Sequence, residues 1–114
     1  MAHSALIIDA DPASLKLHAV ILRGAGWWVV TALTLEDARN ALNVFVPDVI
    51  VDGLGGEATR ALRDEVITRK IPLVTVEDRD TSPRRSGAVA VQITKPIDVS
   101  SFVEQVERAR GGER

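Results

Sequence analysis

Short β-branched runs alternate with amphipathic helical stretches along the whole chain, and this alternation constrains the fold more than any other feature. Ala5-Leu6-Ile7-Ile8-Asp9 is apolar until it ends in an acid, the pattern of a strand buried on both faces. Asp11-Pro12 then supplies a helix cap followed by proline at the first helical position. Leu15, Leu17, Val20, Ile21 and Leu22 form a broad stripe as far as Arg23, and Gly24 and Gly26 stop the helix. Trp28-Val29-Val30-Thr31-Ala32 is a second strand. Thr34 and Asp37 have capping-box spacing, and Ala38, Ala41, Leu42 and Phe45 recur at helical spacing before Pro47. Val49-Ile50-Val51-Asp52 is a third strand, again ending in an acid. A glycine loop (Gly53, Gly55, Gly56) leads to a helix expected from Glu57 to about Arg69, with Ala58, Leu62 and Val66 on one face. Leu73-Val74-Thr75-Val76 and Val89-Ala90-Val91-Gln92-Ile93 are the fourth and fifth strands. Between them, Glu77 to Gly87 reads mainly as loop. Asp98 caps a last helix in which Val99, Phe102, Val103 and Val106 share a face.

Alternation of this kind implies an α/β fold: a doubly wound parallel sheet with helices on both faces and right-handed crossovers. The 114 residues fit one domain, with a core over residues 5–108 and a tail or linker start over residues 109–114. A net charge of −2 gives no basic field, so no direct contact with nucleic acid is expected. The absence of cysteine excludes disulfides and thiolate chemistry. The N-terminus shows no signal-peptide pattern and no apolar run is long enough to span a bilayer. A cytoplasmic location without membrane insertion is therefore expected.

In an open parallel sheet, sites form outside the carboxyl ends of the strands where the strand order reverses. Asp9 and Asp11 lie at the end of strand 1, Asp52 at the end of strand 3, Glu77 after strand 4 and Lys95 after strand 5. With the order 2-1-3-4-5, Asp9, Asp11 and Asp52 converge. Clustered carboxylates need a counter-charge, either Mg²⁺ or a lysine such as Lys95. The plain structural alternative makes Asp11 an N-cap and Asp52 a solvated strand end.

The chain resembles the receiver domains of two-component response regulators over essentially its whole length. The motifs that carry the likeness are Leu6-Ile7-Ile8-Asp9-Ala10-Asp11-Pro12, Gly26-Trp27-Trp28-Val29, Ala32 through Ala38, Pro47-Asp48-Val49-Ile50-Val51-Asp52, Ile71-Pro72-Leu73-Val74, Gly87-Ala88 and Lys95-Pro96. The resemblance implies a five-stranded flavodoxin-like fold. It also implies an aspartyl-phosphate on the strand 3 acid, formed from a histidine kinase, with Mg²⁺ held by acids after strand 1 and a lysine on the phosphoryl group. In this chain the corresponding candidates are Asp52, Asp9 with Asp11, and Lys95.

The departures concentrate in that machinery. Ala10 stands where the family carries a second acid that ligates Mg²⁺, so the metal site is expected to be incomplete and no cofactor to be required. The family has one more residue between the Pro-Asp pair and the acceptor. Counted without a gap, Gly53 takes the acceptor position; a compensating deletion would restore Asp52. Both alignments stay open, and one residue of slip turns a strand side chain to the other face. Glu77 stands at the switch hydroxyl position and Gln92 at the switch aromatic position. The segment for helix 4 (Thr81 to Ser86) is about five residues short, so that helix is expected to be shortened or missing.

The expected function is therefore that of a pseudo-receiver, a non-enzymatic signalling module that binds a protein partner, either a histidine kinase or an output or regulatory protein. Self-association into a homodimer is left open. The rival reading is a divergent but working receiver that uses Asp52 in a phosphorelay. A nucleotide-binding flavodoxin-like domain ranks last, because no phosphate-cradling motif is present. Among other residues, His18 is expected on the surface. One of Trp27 and Trp28 is expected to pack under a helix and the other to cover the edge of strand 2. Arg84-Arg85 is expected to be solvated.

Overall fold

The computed structural model describes residues 3–77, 91–94 and 99–110. Their order is β1 (Ser4–Ile8), α1 (Pro12–Gly24), β2 (Trp28–Ala32), α2 (Leu35–Leu42), β3 (Val49–Asp52), α3 (Gly56–Arg69), β4 (Leu73–Glu77), β5 (Val91–Thr94) and α4 (Val99–Arg110). The strands form one parallel sheet in the order β2-β1-β3-β4-β5. This is the expected order, that of the flavodoxin-like fold which the resemblance implies. Residues 81–86, where a shortened fourth helix was expected, lie outside the described residues. So do Lys95, Asp98 and residues 111–114; the first two residues of the expected tail, Ala109 and Arg110, belong instead to α4.

Both faces of the sheet are covered, which is why β1 is apolar from Ala5 to Ile8 and β3 from Val49 to Val51. Ala5, Ile7, Val49 and Val51 pack with Leu15 and Leu22 of α1 and Phe102 and Val106 of α4. Leu6, Ile8 and Ile50 pack with Ala38 and Leu42 of α2 and Leu62 and Val66 of α3. α1 and α2 start as their caps predict. The Asp11 side chain accepts from the Ala13 amide ahead of Pro12, and Thr34 Oγ1 accepts from the Asp37 amide. The Pro-Asp pair before β3 has a structural task as well. Asp48 Oδ2 accepts from the Ser4 amide at 2.8 Å and ties the start of β1 to the start of β3.

The stripe on α1 is narrower than the sequence suggests. Leu15, Ala19 and Leu22 are buried, whereas Leu17 and Val20 are more than half exposed. His18 corrects the expectation of a surface residue. It is buried, with its ring 5.3 Å from that of Phe102, because it falls on the α1 face that meets α4. The two tryptophans separate as expected, although Trp27 precedes the strand rather than belonging to it. Trp27 is buried and its Nε1 donates to Glu107 Oε2 at 3.0 Å, which ties the start of β2 to α4. Trp28 is 70% exposed.

This contrast predicts that Trp27→Phe loses roughly 1.5–3 kcal/mol, the worth of a hydrogen bond to a charged partner. Trp28→Phe should stay within about 0.5 kcal/mol of the parent. Urea unfolding of the two variants side by side measures both.

Candidate functional site at the strand tips

The carboxyl ends of β1 and β3 lie side by side. Ile8 pairs with Asp52, and the Gly53 amide donates to the Ile8 carbonyl at 2.7 Å. Side chains alternate between the faces along each strand. Ile7 and Val51 enter the α1/α4 core, and Ile8 and Ile50 enter the α2/α3 core. One further step sends Asp9 and residue 53 towards α1 and α4, and Asp52 towards α3. The hydrogen bonds agree. Asp9 Oδ1 accepts from the Asp11 amide at the start of α1, at 2.9 Å. Asp52 Oδ2 accepts from Thr59 Oγ1 on α3 at 2.5 Å, and Oδ1 accepts from the Leu54 amide at 3.0 Å.

The residue facing Asp9 across the tips is therefore Gly53, as in the count without a gap. Its missing side chain leaves no vacancy. A Cβ built on Gly53 would lie 2.7 Å from Asp9 Oδ2 and 3.1 Å from Asp9 Cγ. The Asp9 carboxylate leans into the space that a side chain at position 53 would need. The expected convergence of Asp9, Asp11 and Asp52 is corrected on this point: the tips are adjacent, but Asp52 is turned to the opposite face by the pleat.

Asp11 is an exposed cap. Its Oδ1 accepts from the Ala13 amide at 3.3 Å and its Oδ2 from the Ser14 hydroxyl at 3.0 Å. Ala10 is exposed at the bend between β1 and α1 and brings no side-chain oxygen. The residues present do not fit a magnesium ion. Positions 10 and 53 lack a side-chain oxygen, and Asp11 spends its carboxylate on the first turn of α1. Among the described residues, no group of three or more His, Cys, Asp or Glu side chains is arranged to hold a metal. Glu77 closes β4, and Gln92 pairs with Thr75 in β5. Lys95 follows Thr94, the end of β5, and lies outside the described residues.

Asp52 is 1% exposed. Burial pushes its carboxyl above the ordinary 3.8; the hydrogen bonds from Thr59 and Leu54 pull it back, the neighbouring Asp9 charge adds to the rise and Arg63 opposes it. Thr59 also accepts from the Gly55 amide at 2.7 Å. Its hydroxyl therefore joins the carboxylate to the turn formed by Gly55 and Gly56, whose φ angles are +78° and +61°. Sequence reasoning missed Thr59. It stands seven residues from Asp52, and no motif marks a buried hydroxyl on a helix as the partner of a strand acid.

No family model matches the chain. The polar-differentiation response regulator DivK of Brucella ovis is 25% identical over 121 aligned residues, covering 97% of this chain and 98% of DivK. Among solved structures, the chemotaxis response regulator CheY4 of Vibrio cholerae superposes with a TM-score of 0.78 at 18% identity, covering 96% of this chain and 99% of CheY4. NtrX from Brucella abortus, solved with ATP, superposes with a TM-score of 0.88 at 24% identity, covering 98% of this chain and 27% of NtrX. The structural likenesses establish the receiver fold. The similarity to DivK, over 97% of this chain and 98% of DivK, supports a response-regulator receiver domain.

Two outcomes follow from the tip geometry. Gly53→Ala should destabilise by about 1–3 kcal/mol through overpacking against Asp9, and by less in an Asp9→Ala background, which a double-mutant cycle of urea unfolding measures. The raised Asp52 carboxyl means that the folded state holds its proton more tightly than the unfolded chain. Its contribution to stability thus falls as pH rises from about 3.8 through the raised folded value. Asp52→Asn has no such titration, so its stability relative to the parent should improve across that window and level off above it. A pH series of urea midpoints gives the sign; a difference that stays flat with pH contradicts it.

Proposed function

We propose that this response-regulator receiver domain acts as a phosphorylation-independent protein-interaction module. The observation that carries the proposal is the pairing of Gly53 with Asp9: the position facing Asp9 has no carboxylate to accept a phosphoryl group, and Asp9 itself fills its place. Supporting features surround it. Asp52, the other acid at the tips, is buried against Thr59 and out of reach of a phosphodonor approaching from solvent. Ala10 withholds an oxygen from any divalent ion, and an ionised Glu77 at the switch position would accept but not donate a hydrogen bond.

The chain performs no turnover in this function. Its partner is a histidine kinase or an output protein that reads a constant surface. We take the α1–α4 side as the contact, because Leu17 and Val20, one helical turn apart on α1, are 54% and 55% exposed. No described helix is long and apolar enough to cross a membrane. Action in the cytoplasm, beside soluble kinases, fits this role.

The rival is a receiver that phosphorylates Asp52 after opening the β3–α3 loop. Incubation with a small phosphodonor and Mg²⁺, followed by intact-mass measurement, separates the two. The parent chain should show no phosphoryl adduct. A stoichiometric adduct that disappears in Asp52→Asn would overturn the proposal.

A further inference from the structure

β2 is the outer strand on one side of the sheet. The Trp28 amide donates to the His3 carbonyl at 2.8 Å, and the Asp9 amide donates to the Ala32 carbonyl at 3.1 Å. Trp28, Val30 and Ala32 therefore turn their backbone groups inward to β1, and the alternation of a parallel ladder turns those of Val29 and Thr31 outward. The strand Trp-Val-Val-Thr-Ala has no charge and no proline, two devices by which edge strands resist pairing. Trp28 stands 70% exposed at its start. Among the described residues, one side chain is bonded to this edge from outside the strand: Arg23, in the last turn of α1, donates from Nη2 to the Val29 carbonyl at 3.1 Å.

We propose that Arg23 guards the open edge of β2 against pairing with β2 of a second copy, and so keeps the domain monomeric. A second copy is the fitting partner because the edge is self-complementary. An antiparallel pair centred on Val30 sets Val29 of one copy opposite Thr31 of the other, and each such pair exchanges an N–H and a C=O. The Val29 carbonyl belongs to that exchange, and Arg23 already occupies it. Each copy would also bring its own Arg23 charge to the seam, where like charges oppose docking. The guard costs the fold little, since Arg23 is exposed and lies at a helix C-terminus, where a cation is favourable.

The test uses the full chain and sedimentation velocity over a concentration series. The parent should sediment as a monomer. Arg23→Met keeps the aliphatic stem but loses the donor, and should strengthen dimerisation by roughly tenfold or more, the worth of one hydrogen bond. Arg23→Met/Thr31→Lys restores a charge at the exposed edge and should return the monomer. Arg23→Gln, too short to reach the carbonyl with the same geometry, is run beside them as an alternative variant that keeps a polar side chain. Hydrogen exchange at the Thr31 amide reads the edge directly: fast in the parent and protected in the Arg23→Met dimer. Three results overturn the proposal: a folded Arg23→Met that stays monomeric like the parent, a dimer that Thr31→Lys leaves intact, or a dimer in which Thr31 still exchanges fast.

Discussion

The pleat shared by β1 and β3 is the constraint on which the rest of the structure depends. These two strands are buried on both faces, so each residue is committed to one of two cores. A slip of one residue in β3 would move Val49 and Val51 into the α2/α3 core and Ile50 into the α1/α4 core, exchanging whole sets of packed side chains. No favourable contact at the strand tip offsets such a rearrangement, because each fully buried aliphatic side chain contributes about 1.5–3 kcal/mol. The direction of Asp52 is thus decided by the packing of the residues before it, not by the chemistry of the tip. Gly53 opposite Asp9 is the other half of the same consequence.

With its direction set, Asp52 must be accommodated as a carboxylate with almost no access to water. Such a group is costly unless its oxygens are satisfied. The β3–α3 connection is built around that need. Leu54 turns its amide back to one oxygen, and Thr59 presents its hydroxyl to the other while accepting from Gly55. The acid therefore anchors the loop, and glycine at positions 55 and 56 permits the left-handed backbone that brings these groups round. Asp9 has a parallel task on the other face, where it accepts the Asp11 amide and fixes the entry to α1. Both tip acids hold chain turns in place.

The fold was legible because its signals are local and repeated. Cap residues, apolar periodicity and glycine stops place α1, β2 and β3 to within one residue of the observed ends; α2 starts after its Thr34 cap but ends at Leu42, short of Phe45, and the sheet has the order expected with the fold. The expected α3 began at Glu57 and the observed helix begins at Gly56, a difference of one residue in a glycine-rich turn. The site was legible only in its inventory. Which of Asp52 and Gly53 faces Asp9 turns on a single residue of register, and the sequence permitted both counts. The burial of His18 depends on Phe102, and that of Trp27 involves Glu107, eighty positions away; neither partner announces itself from the other end of the chain. Arg23 entered the sequence reading only as the end of the α1 stripe, and its bond to the outward carbonyl of Val29 follows from the register of β2.

A receiver switches by changing what its strand tips touch, and this imposes a test that the present arrangement meets poorly. Any change at the tip here must first break Asp9 from the Asp11 amide or Asp52 from Thr59 and Leu54. Hydrogen bonds to ionised groups contribute about 1.5–3 kcal/mol each, and breaking one in a buried site leaves a charge without its partner. A movement of the β3–α3 loop would also have to carry α3, which is held to α2 by the Arg69 guanidinium on the Leu42 carbonyl and by the Arg39–Glu65 pair. The exposed pair contributes little by itself; the buried tip contacts set the resistance. On the function proposed above, a module with this tip would present one surface rather than two, the property required of a partner that is recognised without being modified.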